Sequence, residues 1–437
     1  MREVGIGLLG LGNVGGPFAR QLAERAEALA AETGVRPRIV RALVRDPSRR
    51  RELPAGLSEA LGTDPAALLR DPAIEIVVEL LGGLEPAGSL VAEAIARGKH
   101  VVTANKLLLA ERGEELFGAA AARGVALRYE GAVCGGLPIV RILREALEGD
   151  EVLAVHGVVN GTTNYVLGRM GEAGASLEEA LREAQAKGYA EADPTLDVSG
   201  GDAAQKLCLI AGLAFGVRVR QGELLVEGIE QVTPRDFEAA RELGCVVKLL
   251  AVARREGERL DLRVHPAMVP ERGPLASIRG ALNGLLVETR ALGPLVLSAP
   301  GAGGEATASA VLADVLDVAR LGGAAALPFS GRAPARLVPR AEIVSAYHLR
   351  FTVDDAPGVL AGLTAALGRR GISIAALHQR ERREASEGPV TLVSLTHRAR
   401  EGDVLAAVTE IDALPTTRAP TRLVRVEVEG ALAPWRP

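Results

Sequence analysis

A glycine pattern near the N-terminus, Gly10-x-Gly12-x-x-Gly15, lies between an apolar run and an amphipathic segment. Residues 4–9 are typical of a buried strand, and apolar residues follow at helical spacing over 18–31. Such glycines permit a tight turn, close approach of a pyrophosphate to backbone N–H groups, and close packing of helix on strand. The pattern therefore predicts a dinucleotide-binding unit, with a glycine-rich turn that binds nothing as the alternative.

The alternation of strands and helices continues beyond this turn. The pattern predicts strands at 39–44, 74–80 and 100–103 and a helix at 89–97. Strands that alternate with helices indicate a parallel, doubly wound α/β sheet of the Rossmann type. After about residue 130 the pattern becomes mixed and favours an α+β domain. Its predicted strands are 152–159, 243–253 and 262–268, and its predicted helices are 177–187 and 202–215.

The last part of the chain predicts a separate small domain. A period-2 strand from residue 347, an amphipathic helix and further strands around a second helix at 401–411 form a β-α-β-β-α-β unit of the ferredoxin-like kind. The glycine-rich stretch 301–308 leads into a helix expected to pack on the first domain. The predicted division is 1–130 (dinucleotide binding, with 302–322 packing back on it), 131–301 (catalytic and substrate domain), 323–346 (linker) and 347–437 (C-terminal domain).

Lysine is rare in this chain, and two of its five lysines bound an acidic stretch. Residues 187–206, KGYAEADPTLDVSGGDAAQK, contain four acids, among which Asp202 is four residues from Lys206 and can pair with it on one helix face. Lysine can release a proton, whereas arginine stays charged. A helix start lowers the pKa of a lysine and an aspartate raises it, so the pair suits acid–base chemistry. Glu191 and Asp197 could bind a substrate ammonium group; a salt-bridged surface is the alternative.

A second cluster of polar residues, KHVVTANK at 99–106, follows a predicted strand. Thr103 and Asn105 lie at the carboxyl end of that strand, where parallel sheets bind their ligands. Lys106 begins the next helix, at the positive end of the helix dipole, which is unfavourable for a cation unless a polar ligand lies nearby. The alternative is a surface lysine.

The residues after the second predicted strand bear on cofactor choice. Arg45 precedes Asp46, and a basic run follows at 49–51. Arginine at this place can bind a 2′-phosphate, which favours NADP, whereas Asp46 leaves NAD open. A solvated charged turn is the alternative.

Composition excludes several other kinds of partner. The net charge of −4 is spread over mixed signs, so neither nucleic acid nor a membrane surface is expected as a partner. No apolar run is long enough to predict a membrane span. The three cysteines have no CxxC spacing and the six histidines are dispersed, so a transition-metal site is not expected. These features favour a small-molecule substrate and a reducing cytoplasm.

Five segments in order across residues 1–320 resemble homoserine dehydrogenase. They are GLGNVG, GKHVVTANK, YEGAVCGGLP at 129–138, NGTTNYVL at 160–167 and KGYAEADPTLDVSGGDAAQKL at 187–207. The segment FTVDDAPGVLAGLTAALGRRGISI resembles an ACT domain, a small module that senses amino acids, so 347–437 is expected to be regulatory.

The resemblance implies oxidation of L-homoserine to L-aspartate 4-semialdehyde with NADP or NAD, run physiologically as reduction of the aldehyde. It implies that Lys206 donates the proton, assisted by Lys106 and Asp202, and that Glu191, Asp197 and Asp202 hold the substrate. The implied cofactor-binding residues are Gly10, Gly12, Asn13, Val14, Gly15, Arg45, Thr103, Lys106, Gly188 and Gly303.

The resemblance also implies a sodium ion held by the backbone carbonyls of Glu130, Val133, Gly135 and Leu137. Hard cations take oxygen ligands, so carbonyls suffice. Cys134 stands in this segment where the family more often has a smaller residue, and a plain structural turn is the alternative. The family further implies a threonine effector and a homodimer or homotetramer.

Two other functions remain open from the sequence. Another nicotinamide-dependent reductase, aspartate semialdehyde dehydrogenase, would need a cysteine nucleophile, for which Cys134 is the candidate. A non-catalytic amino-acid sensor would combine an inactive dinucleotide fold with the C-terminal module.

Overall fold

A computed structural model of the chain describes residues 1–322, 333–379 and 388–427. Part of the expected linker, 323–332, and two parts of the C-terminal block, 380–387 and 428–437, lie outside the described residues. Within the described ranges, no helix combines the length and the apolar character that crossing a membrane requires.

The N-terminal region forms a six-stranded, wholly parallel sheet in the order β3-β2-β1-β4-β5-β6. This order confirms the doubly wound prediction. The strands are β1 (Arg2–Leu9), β2 (Val35–Leu43), β3 (Leu61–Gly62), β4 (Ile76–Glu79), β5 (His100–Thr103) and β6 (Leu127–Arg128). The helices are α1 (Gly15–Thr33), α2 (Pro65–Arg70), α3 (Ala87–Ala96) and α4 (Lys106–Arg123).

A helix from much later in the chain completes the core of this region. Helix α11 (Gly304–Leu321) packs along α1, and its buried Val311 and Val315 join Phe18 and Ile6 in one apolar cluster. All four side chains are excluded from solvent, so the return of the chain buries apolar surface that α1 and β1 could not cover alone.

The middle of the chain forms one half of a second, mixed sheet, with helices that carry polar residues into its core. Helix α9 (Gly201–Phe215) is buried along almost its whole length, which places its two charged residues, Asp202 and Lys206, inside the protein. The strands are β7 (Val152–Val158), β8 (Leu225–Val226), β9 (Cys245–Glu256), β10 (Arg259–Pro270), β11 (Leu282–Thr289) and β12 (Pro294–Pro300). The helices are α5 (Ile139–Arg141, continued by a π-helical turn Ile142–Ala146), α6 (Gly161–Ala173), α7 (Leu177–Ala186), α8 (Thr195–Val198), α9 (Gly201–Phe215) and α10 (Pro234–Glu242).

The C-terminal domain has the predicted β-α-β-β-α-β order, and its sheet runs β17-β13-β15-β14, as in ferredoxin-like units. Its first strand begins at Val344, three residues before the expected domain start, because Val344 and Ser345 pair with a short strand, β16. The elements are β13 (Val344–Val353), α12 (Val359–Arg369), β14 (Ile374–Gln379), β15 (Val390–Thr396), β16 (Ala399–Arg400), α13 (Glu401–Asp412) and β17 (Thr417–Val426).

The C-terminal sheet is continuous with the catalytic sheet, a feature that the sequence did not predict. Strand β17 pairs in parallel with β10 at Ala267 and Met268, which gives the strand order β12-β11-β7-β9-β10-β17-β13-β15-β14. At this junction the buried Arg425 donates to Glu401 at 2.6 and 2.8 Å and to Glu227 of the catalytic domain at 2.6 and 3.1 Å. A buried ion cluster therefore joins the two domains.

Candidate active site

The glycine turn after β1 leaves an open cradle at the start of α1. Gly10 has a left-handed φ of 103°, and a Cβ on Gly15 would lie 2.1 Å from the carbonyl oxygen of Gly10, so both positions need glycine. A Cβ on Gly12 would meet no atom within 4 Å. The turn is thus tight on its inner side and open where a pyrophosphate would approach the helix N-terminus.

The start of α11 packs against the same turn. A Cβ on Gly304 would lie 2.0 Å from the carbonyl oxygen of Asn13, so the contact permits glycine only. Asn13 is exposed and Val14 half-buried, directly before α1. The sequence singled out Gly303, which has a φ of 114° and precedes α11, but the tightest contact is at its neighbour Gly304.

Arg45 and Asp46 follow β2 at the same edge of the sheet. The carboxylate of Asp46 accepts hydrogen bonds from the backbone N and Oγ of Ser48 at 2.9 and 2.6 Å, and these bonds lower its pKa. Arg45 is exposed. Asp46 is therefore engaged within its own turn, whereas the Arg45 guanidinium is available to a ligand.

A buried carboxylate, Glu79, connects the ends of the neighbouring strands β4 and β5. Glu79 ends β4 and is fully buried; its Oε2 accepts from Thr103 Oγ1 at 2.5 Å, and its Oε1 accepts from the backbone N of Leu81 and Gly82 at 2.8 and 3.1 Å. Sequence reasoning missed this residue. The available signal was a charged residue at the end of an otherwise apolar strand.

Asn105 fixes the start of α4. Its Oδ1 accepts from the backbone N of Leu108 at 3.1 Å, and its Nδ2 donates to the carbonyl of Gly83 at 2.7 Å. Helix α4 begins at Lys106, as predicted. The cap holds Lys106 at the carboxyl edge of the sheet, next to the glycine loop that follows β4.

Lys106 reaches across to the buried pair on α9. Its Nζ lies 3.2 Å from Oδ1 of Asp202, while Oδ2 of Asp202 lies 2.7 Å from Nζ of Lys206, one helical turn further. Lys206 also donates to the carbonyl of Val159 at 2.8 Å. Asp202 is 5% and Lys206 7% exposed. The predicted pairing of Asp202 with Lys206 is confirmed, and Lys106 joins it.

The charges of Lys106, Asp202 and Lys206 keep the Asp202–Lys206 pair ionised. Burial opposes the charge of Asp202, but Lys206 and Lys106 outweigh it and hold its pKa below the ordinary value. Burial likewise acts to lower the pKa of Lys206, but Asp202 outweighs it and raises that pKa. Two of the three N–H groups of Lys206 bind protein oxygens, so one remains for a ligand.

Asn160 bridges the part-buried carboxylate of Asp197 and the buried carboxylate of Asp202. Its Oδ1 accepts from the backbone N and Oγ1 of Thr163 at 2.8 and 2.9 Å, which orients the amide so that Nδ2 faces the acids. Nδ2 donates to Asp197 at 2.7 Å and to Asp202 at 2.8 Å. Burial raises the pKa of Asp197, and the hydrogen bond from Asn160 opposes that rise. The segment 160–167 carries part of the family resemblance, but nothing in its sequence pattern indicates this role for Asn160.

Two predicted residues lie on the loop after α7. Gly188 has a left-handed φ of 75° and ends α7, and the backbone carbonyl of Tyr189 accepts from Thr162 Oγ1 at 2.6 Å. Glu191 is exposed, and its carbonyl accepts from Gln185 Nε2 at 3.1 Å. The structure does not bring the Glu191 carboxylate into contact with Lys206 or Asp202.

The four carbonyls expected to hold a cation lie in one buried turn. Those of Glu130 and Leu137 accept backbone N–H groups at 3.2 and 2.8 Å. For the carbonyls of Val133 and Gly135, the described residues provide no donor. No group of three or more His, Cys, Asp or Glu side chains suited to a metal occurs in the described ranges. The turn thus offers carbonyl oxygens only, which suits a hard monovalent cation.

Cys134, within this turn, is buried and has a left-handed φ of 57°. Burial raises the pKa of its thiol to about 11. A thiol with so high a pKa is a poor nucleophile at neutral pH, which disfavours an acyl-enzyme role.

Taken together, a dinucleotide cradle and a buried lysine–carboxylate pair at the edge of one parallel sheet define a nicotinamide-dependent oxidoreductase. Residues 10–130 match the NAD-binding domain of homoserine dehydrogenase, 138–316 match the homoserine dehydrogenase domain, and 347–416 match the ACT domain. The chain belongs to the homoserine dehydrogenase family.

Individual relatives agree over almost the full length. Homoserine dehydrogenase of Neisseria gonorrhoeae is 39% identical, with 98% of this chain and 99% of the relative covered. The crystal structure of a homoserine dehydrogenase from Thiobacillus denitrificans is 43% identical, with a TM-score of 0.92 and coverage of 98% and 99%. A hyperthermophilic archaeal homoserine dehydrogenase in complex with NADPH is 27% identical, with a TM-score of 0.60 and coverage of 72% and 97%.

The chain is thus an NAD(P)-dependent oxidoreductase that acts on a CH–OH group, interconverting L-homoserine and L-aspartate 4-semialdehyde in threonine and methionine biosynthesis. This result selects homoserine dehydrogenase over the two alternative functions. The ACT domain is consistent with amino-acid feedback.

Proposed function

We propose that Lys206 gives the proton to the aldehyde oxygen when aspartate semialdehyde is reduced. The observation that carries the proposal is the row formed by Lys106, Asp202 and Lys206, with contacts of 3.2 and 2.7 Å at the carboxyl edge of the dinucleotide-binding sheet. A nicotinamide dinucleotide held at the glycine turn of Gly10, Gly12 and Gly15 would supply the hydride for the carbonyl carbon. The oxygen then needs one proton, which the free N–H of Lys206 can provide.

The charge state of Lys206 supports its donation of a proton to the aldehyde oxygen. Asp202 raises the pKa of Lys206, so the ammonium form predominates at neutral pH and is ready to donate. Oxidation of homoserine requires the neutral amine, which accepts the hydroxyl proton. We expect that direction to be favoured by alkaline conditions.

We propose that Asp197, Asp202 and Glu191 hold the substrate, with Asp202 and Lys106 also orienting Lys206. Asp197 is part-buried with a raised pKa, and a substrate ammonium group beside it would supply the missing counter-charge. Glu191 contributes from its exposed loop.

For the cofactor, we propose NADP in preference to NAD. The exposed Arg45 guanidinium, with Asp46 engaged by Ser48, supports binding of a 2′-phosphate. The solved archaeal relative in complex with NADPH supports the same choice. The remaining proposed cofactor residues are Gly10, Gly12, Asn13, Val14, Gly15, Thr103, Lys106, Gly188 and Gly303.

We propose that the carbonyls of Glu130, Val133, Gly135 and Leu137 hold a sodium ion that rigidifies the turn before α5. The absence of a protein donor for the Val133 and Gly135 oxygens, among the described residues, supports this fit. The ion would supply a structural positive charge within the turn.

The proposal extends to the effector of the ACT domain, the assembly of the protein and its cellular compartment. Threonine is the expected effector of the ACT domain, and a homodimer or homotetramer is the expected assembly. The three free cysteines support a reducing compartment such as the cytoplasm.

The test follows the absorbance of NADPH and NADH with aspartate semialdehyde, comparing the natural chain with Lys206→Met and Lys187→Met. Lys187 ends α7 and is half exposed, 2.9 Å from Glu183, so its variant controls for loss of a lysine. We expect turnover to be lost in Lys206→Met only. Wild-type turnover in Lys206→Met would show that another group donates the proton.

A further inference from the structure

Lys248, a lysine that the active site does not use, lies at a separate cavity of about 620 Å³. The cavity is bounded by α6, α10, the start of β9 and residues 271–280. Lys248 is only 6% exposed. None of the residues proposed above for substrate, cofactor or cation lines this cavity, so it is a distinct place in the fold.

The hydrogen bonds of Lys248 leave its charge without a counter-ion. Its Nζ donates to Oδ1 of Asn164 at 2.8 Å and to the carbonyl of Ile278 at 2.6 Å, and both acceptors are neutral. No carboxylate of the described residues lies within 4 Å of it. Burial and the neighbouring Arg279 lower the pKa of Lys248 to about 8. A buried ammonium held only by neutral acceptors is costly, and its third N–H is unused by these bonds.

The charged residues that line the cavity, counted together with Lys248, leave a net positive charge; Arg169 also lines it and pairs with Glu183. Arg241 and Arg279 line it, are exposed, and form no ion pair with a described residue. Glu172 and Glu271 also line it and are likewise exposed and unpaired within the described ranges. The cations therefore exceed the acids, and the one deeply buried charge is positive.

We propose that this cavity binds a small oxyanion, a carboxylate or phosphate group, against Lys248 and Arg279. Such a group supplies the counter-charge that the protein lacks and accepts the third N–H of Lys248 in a charge-assisted hydrogen bond. The exposed position of Arg279 lets it close over the anion from the solvent side.

The experiment is calorimetric titration of the full chain with inorganic phosphate and, separately, with succinate, at ionic strength balanced by sodium chloride. The two arms distinguish a phosphate from a carboxylate ligand. Lys248→Met and Arg279→Gln are compared with Lys99→Met as the matched control. Lys99 is also buried and donates to two carbonyls, those of Asp71 at 2.8 Å and Ile74 at 2.7 Å, but does not line the cavity.

We expect saturable binding of at least one anion by the natural chain and by Lys99→Met, weakened by about tenfold or more in Lys248→Met and Arg279→Gln. Absence of saturable binding in the natural chain overturns the proposal, as does an affinity in both cavity variants equal to that of the natural chain. If Lys248→Met fails to fold, the anion affinity of Arg279→Gln alone decides the outcome, because Arg279 is exposed. Because the readout is binding, the result is independent of the proposed catalytic roles.

Discussion

Lys106 and Asp202 form an ion pair, with 3.2 Å between Nζ and Oδ1, that joins the dinucleotide-binding sheet to the catalytic domain. The other oxygen of the same carboxylate holds Lys206 at 2.7 Å. One aspartate thus sets the position of the proposed proton donor relative to the edge of the sheet where the nicotinamide would lie. The first predictions test this arrangement.

Lys206→Arg should keep the positive charge but lose the proton donor. Arginine stays protonated, so we expect kcat to fall by about 10²-fold or more, the contribution typical of general acid catalysis, with a modest change in KM. Steady-state kinetics with NADPH and aspartate semialdehyde measure both constants. Lys187→Arg is the control, and wild-type kcat in Lys206→Arg would contradict the role.

Asp202→Asn should move the alkaline limb of the pH profile. Asp202 is the main group that raises the pKa of Lys206, and burial acts in the opposite direction. Without the carboxylate, burial dominates and the pKa of Lys206 falls, so the ammonium is lost at lower pH. We expect kcat for aldehyde reduction to decline at lower pH than in the natural chain. An unchanged alkaline limb would show that Lys206 is not the titrating donor.

Asn160→Ala should move the acidic limb instead. The amide of Asn160 lowers the pKa of both Asp197 and Asp202, so its loss should make these acids protonate at higher pH. We expect kcat/KM to decline at higher pH on the acidic side. Because Asn160 also caps α6, Ser176→Ala, which removes the cap of α7, is the control for helix loss alone. An equal shift in both variants would reduce Asn160 to a structural cap.

The sequence predicted the parts of this site that follow from local rules. The Asp202–Lys206 pair is an i, i+4 relation in one helix, and the start of α4 at Lys106 follows from the cap at Asn105. Asn160 could not be predicted in this way. It reaches acids 37 and 42 residues later in the chain, on α8 and at the start of α9, and only the tertiary fold brings these elements to the cap of α6.

The fold, like the site, has features that local sequence patterns predict and features that only long-range packing creates. Strand and helix periodicity predicted strands of both sheets, although not β11 or β12, and the pairing of β17 with β10 joins residues about 160 positions apart through only two residue pairs. Such long-range pairing leaves no periodic signal. The same holds for Gly304, whose role depends on a contact with the distant Asn13 and not on its own surroundings in the sequence.

Arg45→Ala should reduce the preference for NADPH. Loss of the proposed 2′-phosphate contact is expected to lower kcat/KM for NADPH by about tenfold, the size of one charge-assisted hydrogen bond, and to leave kcat/KM for NADH nearly unchanged. Arg36→Ala, at the other end of β2 and paired with Glu27, is the control. An equal loss with both cofactors would assign Arg45 a structural role.

Arg425→Met should weaken the junction between the ACT and catalytic domains. Arg425 is 2% exposed and pairs with the fully buried Glu401 and with Glu227, so its removal leaves both carboxylates with only the half-exposed Arg340 as a partner. Breaking a buried ion pair in this way costs about 3–5 kcal/mol, whereas an exposed pair contributes about 0–1 kcal/mol. The matched control is Arg418→Met, on the same strand and half exposed beside Asp354.

Thermal unfolding of Arg425→Met and Arg418→Met compares the loss of the buried ion pairs at the domain junction with the loss of an exposed ion pair. We expect a clear drop in Tm for Arg425→Met and little change for Arg418→Met, with partial recovery when Glu401→Gln is added to Arg425→Met, because the added change removes the buried charge that has lost its buried partner. Equal Tm values for the two single variants would show that the cluster does not hold the domains together. The expected result also means that deleting residues 341–437 would expose the edge of β10 and leave Glu227 with Arg340 as its remaining partner. A threonine response should therefore be tested by point substitution within the ACT domain, since truncation would perturb the catalytic sheet itself.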